Sequence, residues 1–176
     1  DLTGVYKNAN SQTEANTPIE DYIFDSNGNL VYPTGATTGC QMHYESYLYC
    51  DTLKWVNNEW INYILPQTYW AQNHSLAPYE RLINWWNQAV SKKNVNLYAG
   101  MGIYMWLTNT NEAYEQLVIN DALEHVKGTS IYSYKQIAAA YNNTDVSAKE
   151  QMNDIKNYVW KNKTILPKIQ GFNEVK

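Results

Sequence analysis

Gln67, Tyr69 and Trp70 follow directly on an apolar run, Trp60-Ile61-Asn62-Tyr63-Ile64-Leu65, that Pro66 closes. A primary amide donates to one hydroxyl and accepts from another, while a Tyr or Trp ring offers an apolar face and a polar tip. Such residues at the end of one element suit a ligand with C–H faces and many hydroxyls, which is the chemistry of a sugar. The whole chain leans the same way, with 16 Tyr and 7 Trp against 2 Phe. On composition alone, a Tyr- and Asn-rich genome bias explains that excess equally well.

Other chemistries find less support. His43, His74 and His125 share no spacing and read as surface or loop residues, so no metal site is expected. Cys40 and Cys50 lack a zinc-type pattern; they form either one bridge in an oxidising compartment or two free thiols. Net charge is -4, and Arg81 is the one arginine among 13 basic residues. Phosphate recognition favours clustered arginine, so nucleic acid is excluded as a partner. No apolar run reaches the roughly 18 residues of a membrane span, and the first residues do not read as a signal peptide.

These residues must be carried by a folded frame. With 44% hydrophobic and 17% charged residues, the chain reads as a globular domain over 1–176. A short strand at Leu2–Tyr6 leads into a long loop, about 8–44, in which Asn27-Gly28 between Tyr22 and Tyr32 signals a small hairpin. A helix over about Glu45–Asn57 precedes a strand over Trp60–Gln67, whose apolar run predicts burial on both faces. Tyr79–Val90 is a helix with Pro78 in its first turn and Leu82, Ile83, Trp85, Trp86 and Val90 on its apolar side, so both tryptophans read as packing.

The pattern then repeats. A strand over Asn96–Tyr104 is followed by a helix over Asn111–Val126 whose apolar side holds Ala113, Leu117, Ile119 and Leu123. A strand over Gly128–Tyr134 is followed by a helix over about Ser147–Lys161, opened by a Ser147/Glu150 capping box. Strands alternating with helices predict an α/β fold of about four βα units with parallel strands. Four units fit either an open doubly wound sheet or half of a closed barrel, which needs eight.

Residue patterns favour the second. Leu53-Lys54-Trp55-Val56 with Trp60-Ile61-Asn62-Tyr63-Ile64-Leu65-Pro66-Gln67-Thr68-Tyr69-Trp70 resembles the signature of the glycosyl-hydrolase-like family 10 proteins. In that family a Trp-Val helix end precedes a strand ending in Pro-Gln-x-Tyr-Trp. Tyr79-x-x-Leu82-x-x-Trp85-Trp86, Leu97-Tyr98-x-Gly100 and Ser130-Ile131-Tyr132-Ser133-Tyr134 resemble later family elements in the same order. Gly4-Val5-Tyr6-Lys7-Asn8 is similar to the end of the family's fifth strand, and Leu166-Pro167 to the close of its final helix.

The resemblance implies the C-terminal half of a TIM-type (β/α)8 barrel, with the site at the C-terminal ends of the strands. It therefore implies Gln67, Tyr69, Trp70, Tyr104, Asn8 and Lys7 as substrate-binding residues, although Gln67 also suits a buried amide and Trp70 ordinary core packing. Glycoside hydrolysis uses two carboxyl groups about 5–10 Å apart. The family's suspected acids, in an Asp-Asp-Tyr-type motif, have no counterpart here. Asp51, which matches a family Asp, and Glu45, in the long first loop, are the remaining weak candidates. Asn62 stands where the family often has Asp.

The implied activity is cofactor-free hydrolysis of a bacterial cell-envelope polysaccharide such as peptidoglycan, in an extracytoplasmic setting. The carboxylates would come mostly from the other half, leaving this chain inactive alone. The alternative is a non-catalytic carbohydrate-binding module. An uncovered inner sheet face implies a homodimer or association with the missing N-terminal half.

Overall fold

In a computed structural model, residues 5–6, 18–32, 35, 49–106, 111–142 and 146–162 are described. Strands β1 (Ile23–Phe24) and β2 (Leu30–Tyr32) pair antiparallel, which is the expected hairpin. Its turn is built by Asp25, whose carboxylate accepts from the backbone N–H groups of Asn27 and Asn29, both at 2.8 Å, and from Asn29 Nδ2 at 2.9 Å. Those bonds favour the ionised form and hold the Asp25 carboxyl below its usual range. Gly28 takes the left-handed turn position, with φ +76°. Lys93 Nζ ties the hairpin down, reaching Asn29 Oδ1 at 2.6 Å and the carbonyl of Asn57 at 2.9 Å.

Helix α1 (Thr52–Asn57) is shorter than the expected 45–57 helix, of which 45–48 lie outside the described residues. Asp51, expected mid-helix, is its N-cap: Oδ1 accepts from the backbone N–H of Lys54 at 2.9 Å. An Asp competes for backbone donors and so closes a helix start better than it fills an interior.

Three strands, β3 (Tyr63–Ile64), β4 (Asn96–Met101) and β5 (Val126–Ile131), form a parallel sheet in the order β3-β4-β5. Helices α2 (Tyr79–Val90) and α3 (Glu112–Ala122) connect them. This is a mixed α/β fold with a parallel sheet. One sheet face is dry: Ile64, Leu97 and Ala99 join Leu82, Ile83, Trp85, Trp86, Ala89 and Val90 of α2 in one core cluster. Met101 joins Ala113 and Leu117 of α3 in a second.

On the opposite face Tyr63, Leu65, Ser130 and Tyr132 are exposed. The strand expected to be buried on both faces is therefore buried on one, because helices cover a single side of the sheet among the described residues. Its continuous apolar run hides an alternation, with Ile64 and Pro66 inside and Tyr63 and Leu65 outside.

Boundaries shift where local chemistry competes with pattern. Helix α3 stops at Ala122, since Leu123 is already extended, and β5 starts at Val126 instead of Gly128. The expected 128–134 strand ends at Ile131, where Ser133 opens an unanticipated helix, α4 (Tyr134–Tyr141), through a capping box with Gln136. The Ser147/Glu150 box is not a helix start, because α5 (Val146–Asp154) already includes Ser147. Helix α5 runs on as a π-helical turn over Ile155–Val159. Val5 and Tyr6, the described end of the predicted first strand, are buried, with Tyr6 stacked on Trp85 at 5.3 Å.

Candidate functional site

Where β3 ends, the chain stays locked to β4. Gly100 N–H donates to the carbonyl of Pro66 at 2.9 Å, and the N–H and Oγ1 of Thr68 donate to the carbonyl of Gly100 at 2.9 and 2.8 Å. Gln67 sits in a parallel bridge with Gly100. The approach is close enough to require glycine: a Cβ on Gly100 would lie 2.5 Å from the Pro66 oxygen. The next residue, Tyr69, is thereby laid across Gly102, where a Cβ would meet its Cγ at 2.7 Å.

Three tyrosines from three strand ends meet at this point. The Tyr69 ring stacks with Tyr132, which follows β5, at 6.0 Å between centroids. It meets Tyr104, in the 3-10 turn Ile103–Trp106 after β4, edge to face at 6.0 Å. Tyr104 and Tyr132 close the triangle at 6.1 Å. Tyr104 and Tyr132 are 40% and 58% exposed, so rings that support one another still present surface to solvent.

Gln67, bridged to Gly100, stands two residues before Tyr69 at the same strand end. Burial raises the Tyr69 phenol above its ordinary pKa, Gln67 partly offsets this, and the two neighbouring tyrosines add to the rise. The group is thus a neutral, half-wet aromatic surface with an amide at its edge, able to stack on a ring and exchange hydrogen bonds with hydroxyls.

Not every candidate joins it. Trp70 packs against the core beneath the sheet, with its ring 6.3 Å from His74 and its carbonyl accepting from Gln116 Nε2 at 3.1 Å. Asp51 serves as the α1 cap and also accepts from the Tyr6 hydroxyl at 3.1 Å. Asn62 is exposed before β3. Lys7, Asn8, Glu45, Cys40 and His43 lie outside the described residues. Cys50 carries a free thiol, raised in pKa first by burial. His74 Nδ1 accepts from Ala77 N–H at 3.0 Å and so organises its own loop. Among the described residues, no three His, Cys, Asp or Glu side chains are grouped to hold a metal.

Tyr132 is the member that sequence reasoning missed. Its signal was the alternation in Ser130-Ile131-Tyr132, which sends Tyr132 to the same face as Ser130 at the C-terminal end of β5.

Comparison with known proteins gives the family. The glycosyl hydrolase-like 10 profile matches residues 29–116, half of the chain. The chain belongs to the glycosyl hydrolase-like 10 family. It is 34% identical to glycosyl hydrolase YngK of Bacillus subtilis over 112 residues, 60% of this chain and 22% of that protein. It is equally 34% identical to glycosyl hydrolase DigH of Escherichia coli K12 over 113 residues, 57% of this chain and 25% of that protein. The chain thus spans about a quarter of the length of these relatives. Within the family match lie β3, its Gln67 and Tyr69 end, β4 and Tyr104, whereas Tyr132 falls beyond it.

Proposed function

We propose that this chain supplies the sugar-binding strand ends of a larger glycoside hydrolase whose substrate is a bacterial cell-envelope polysaccharide such as peptidoglycan. The observation that carries this reading is the convergence of Tyr69, Tyr104 and Tyr132, with Gln67, at the C-terminal ends of three adjacent parallel strands. Sugar rings lay their C–H faces on such rings, and the amide selects for hydroxyls. Family membership supports hydrolysis as the chemistry.

In this proposal the sheet is the C-terminal half of a (β/α)8 barrel. Support comes from helices that, among the described residues, cover one sheet face, and from the edge of β3 that no described strand pairs, where Trp55, Trp60 and residues 61–65 line a groove of about 600 Å³. A neighbouring strand from the rest of the longer protein, or a second copy of the chain, would cover that edge. The acid and base would be carboxylates on the remaining strands, acting without a cofactor, in an extracytoplasmic setting. Among the described residues, no helix is long and apolar enough to cross a membrane.

The test is titration of the 176-residue chain with N-acetylglucosamine oligomers, followed by intrinsic fluorescence. Binding should appear, weaken in Tyr69→Ala and Tyr132→Ala, and be accompanied by no bond cleavage. Binding that survives both substitutions would remove the platform from the mechanism, and turnover by the chain alone would place the catalytic acids within it.

A further inference from the structure

Helix α3 carries a polar stripe, Glu112, Gln116 and Asn120, that is buried although its spacing of four residues reads as one helix face. Its first two members grip the loop that follows β3. Glu112 Oε1 accepts from the backbone N–H of Gln72 at 2.8 Å and from Gln116 Nε2 at 2.7 Å. Gln116, fully buried, also donates to the carbonyl of Trp70 at 3.1 Å. Glu115, next to Glu112, accepts from Gln72 Nε2 at 2.8 Å.

Tyr69 therefore lies between two anchors. Before it, Thr68 is fixed to Gly100 of β4; after it, Trp70 and Gln72 are fixed to α3. The β4 anchor sets where the chain leaves the sheet. The α3 anchor sets the direction of the next three residues, and hence whether the Tyr69 ring stays on Gly102 and against Tyr132. Burying a carboxylate is costly unless its acceptors are used, and here one oxygen takes two donors.

We infer that Glu112 is a positioning residue for the strand-end platform, acting through Gln116 and the backbone of Gln72. The consequence for ligand binding rests on the proposed sugar-binding role; the positioning itself does not.

The test uses the native chain with isotope-labelled tyrosine, reading the Tyr69 ring resonance by NMR and, separately, affinity for an N-acetylglucosamine oligomer. The resonance is assigned with Tyr69→Phe and is sensitive because two tyrosine rings lie 6.0 Å from it. Glu112→Ala should shift that resonance and weaken oligomer binding about ten-fold, as loss of a buried hydrogen-bond acceptor predicts. Glu112→Gln should restore both, because an amide oxygen can accept the same two bonds. If Glu112→Ala does not fold, Gln116→Met removes the amide at similar volume and should shift the resonance in the same way. A lower melting temperature with an unmoved Tyr69 signal overturns the inference, leaving Glu112 as packing alone. If the native chain binds no oligomer, the sugar-binding reading fails, while the resonance still decides the positioning role.

Discussion

Replacing Gly102 by alanine probes the platform most directly, because the new methyl group enters the space on which the Tyr69 ring rests. The added Cβ would stand 2.7 Å from Tyr69 Cγ, 2.8 Å from Cδ2 and 3.1 Å from Cβ. Carbon pairs settle at about 3.5–4.0 Å, so the side chain must retreat by roughly 1 Å. Rotation of the ring cannot supply this, since the Tyr69 Cβ is itself crowded, and the backbone must move against its anchors on β4 and α3. Overpacking of this kind costs about 1–3 kcal/mol. Gly102 is not in the left-handed region, so alanine also returns about 0.4–1 kcal/mol by restricting the unfolded chain. The net expectation is a destabilisation of about 1–2 kcal/mol. Loss of ring stacking, worth about 0.5–1.5 kcal/mol, should weaken oligomer affinity roughly two- to twelve-fold. Urea unfolding followed by circular dichroism gives the first quantity and fluorescence titration the second. An unchanged or raised midpoint together with native affinity would refute the seating of Tyr69 on Gly102.

Two further outcomes follow from local chemistry. Asp51→Ala should cost about 1 kcal/mol for the lost α1 cap and about as much again for the buried Tyr6 hydroxyl left without this acceptor, whereas Asp51→Asn should recover most of it; equal unfolding midpoints for all three chains would contradict the capping role. Burial pushes the Tyr22 phenol up to about 12, against a lowering contribution from Arg81, and raises Tyr79 as well. Both pKa values are higher folded than unfolded, so their stabilisation is complete below about pH 10 and is lost as pH rises through the folded values. Phenolate absorbance against pH should show a late-titrating class that coincides with unfolding, and Tyr22→Phe should move unfolding to higher pH; simple titration of every tyrosine near its ordinary value would contradict this.

Much of the frame was legible because it rests on local rules. The Asn27-Gly28 turn, the apolar side of α2 and the alternation of strands with helices each express a single-element preference, and each appears in the structure. The family was legible for a related reason: the Pro66-Gln67-x-Tyr69-Trp70 order is a linear pattern, and it lies inside the matched region. Boundaries were less so. Ser133 and Ser147 carry the same capping signature, and only the end of sheet pairing at Ile131 makes the first a true helix start.

The site divides along the same line. Strand-end placement and the family resemblance together marked Gln67, Tyr69 and Tyr104 as candidates for sugar contact, since an amide and rings keep their properties in any fold. Trp70 shared the type but not the surroundings, and packing turned it toward the core. Glu112 and Gln116 had the composition of a solvated helix face; they are buried because the loop after β3, 40 and 46 residues away in sequence, brings them an unpaired N–H and a carbonyl. The sequence determines which groups a residue offers and which elements its neighbours form. Which of those groups meet is decided by tertiary structure, because partners so distant along the chain are chosen by packing and leave no periodicity to read.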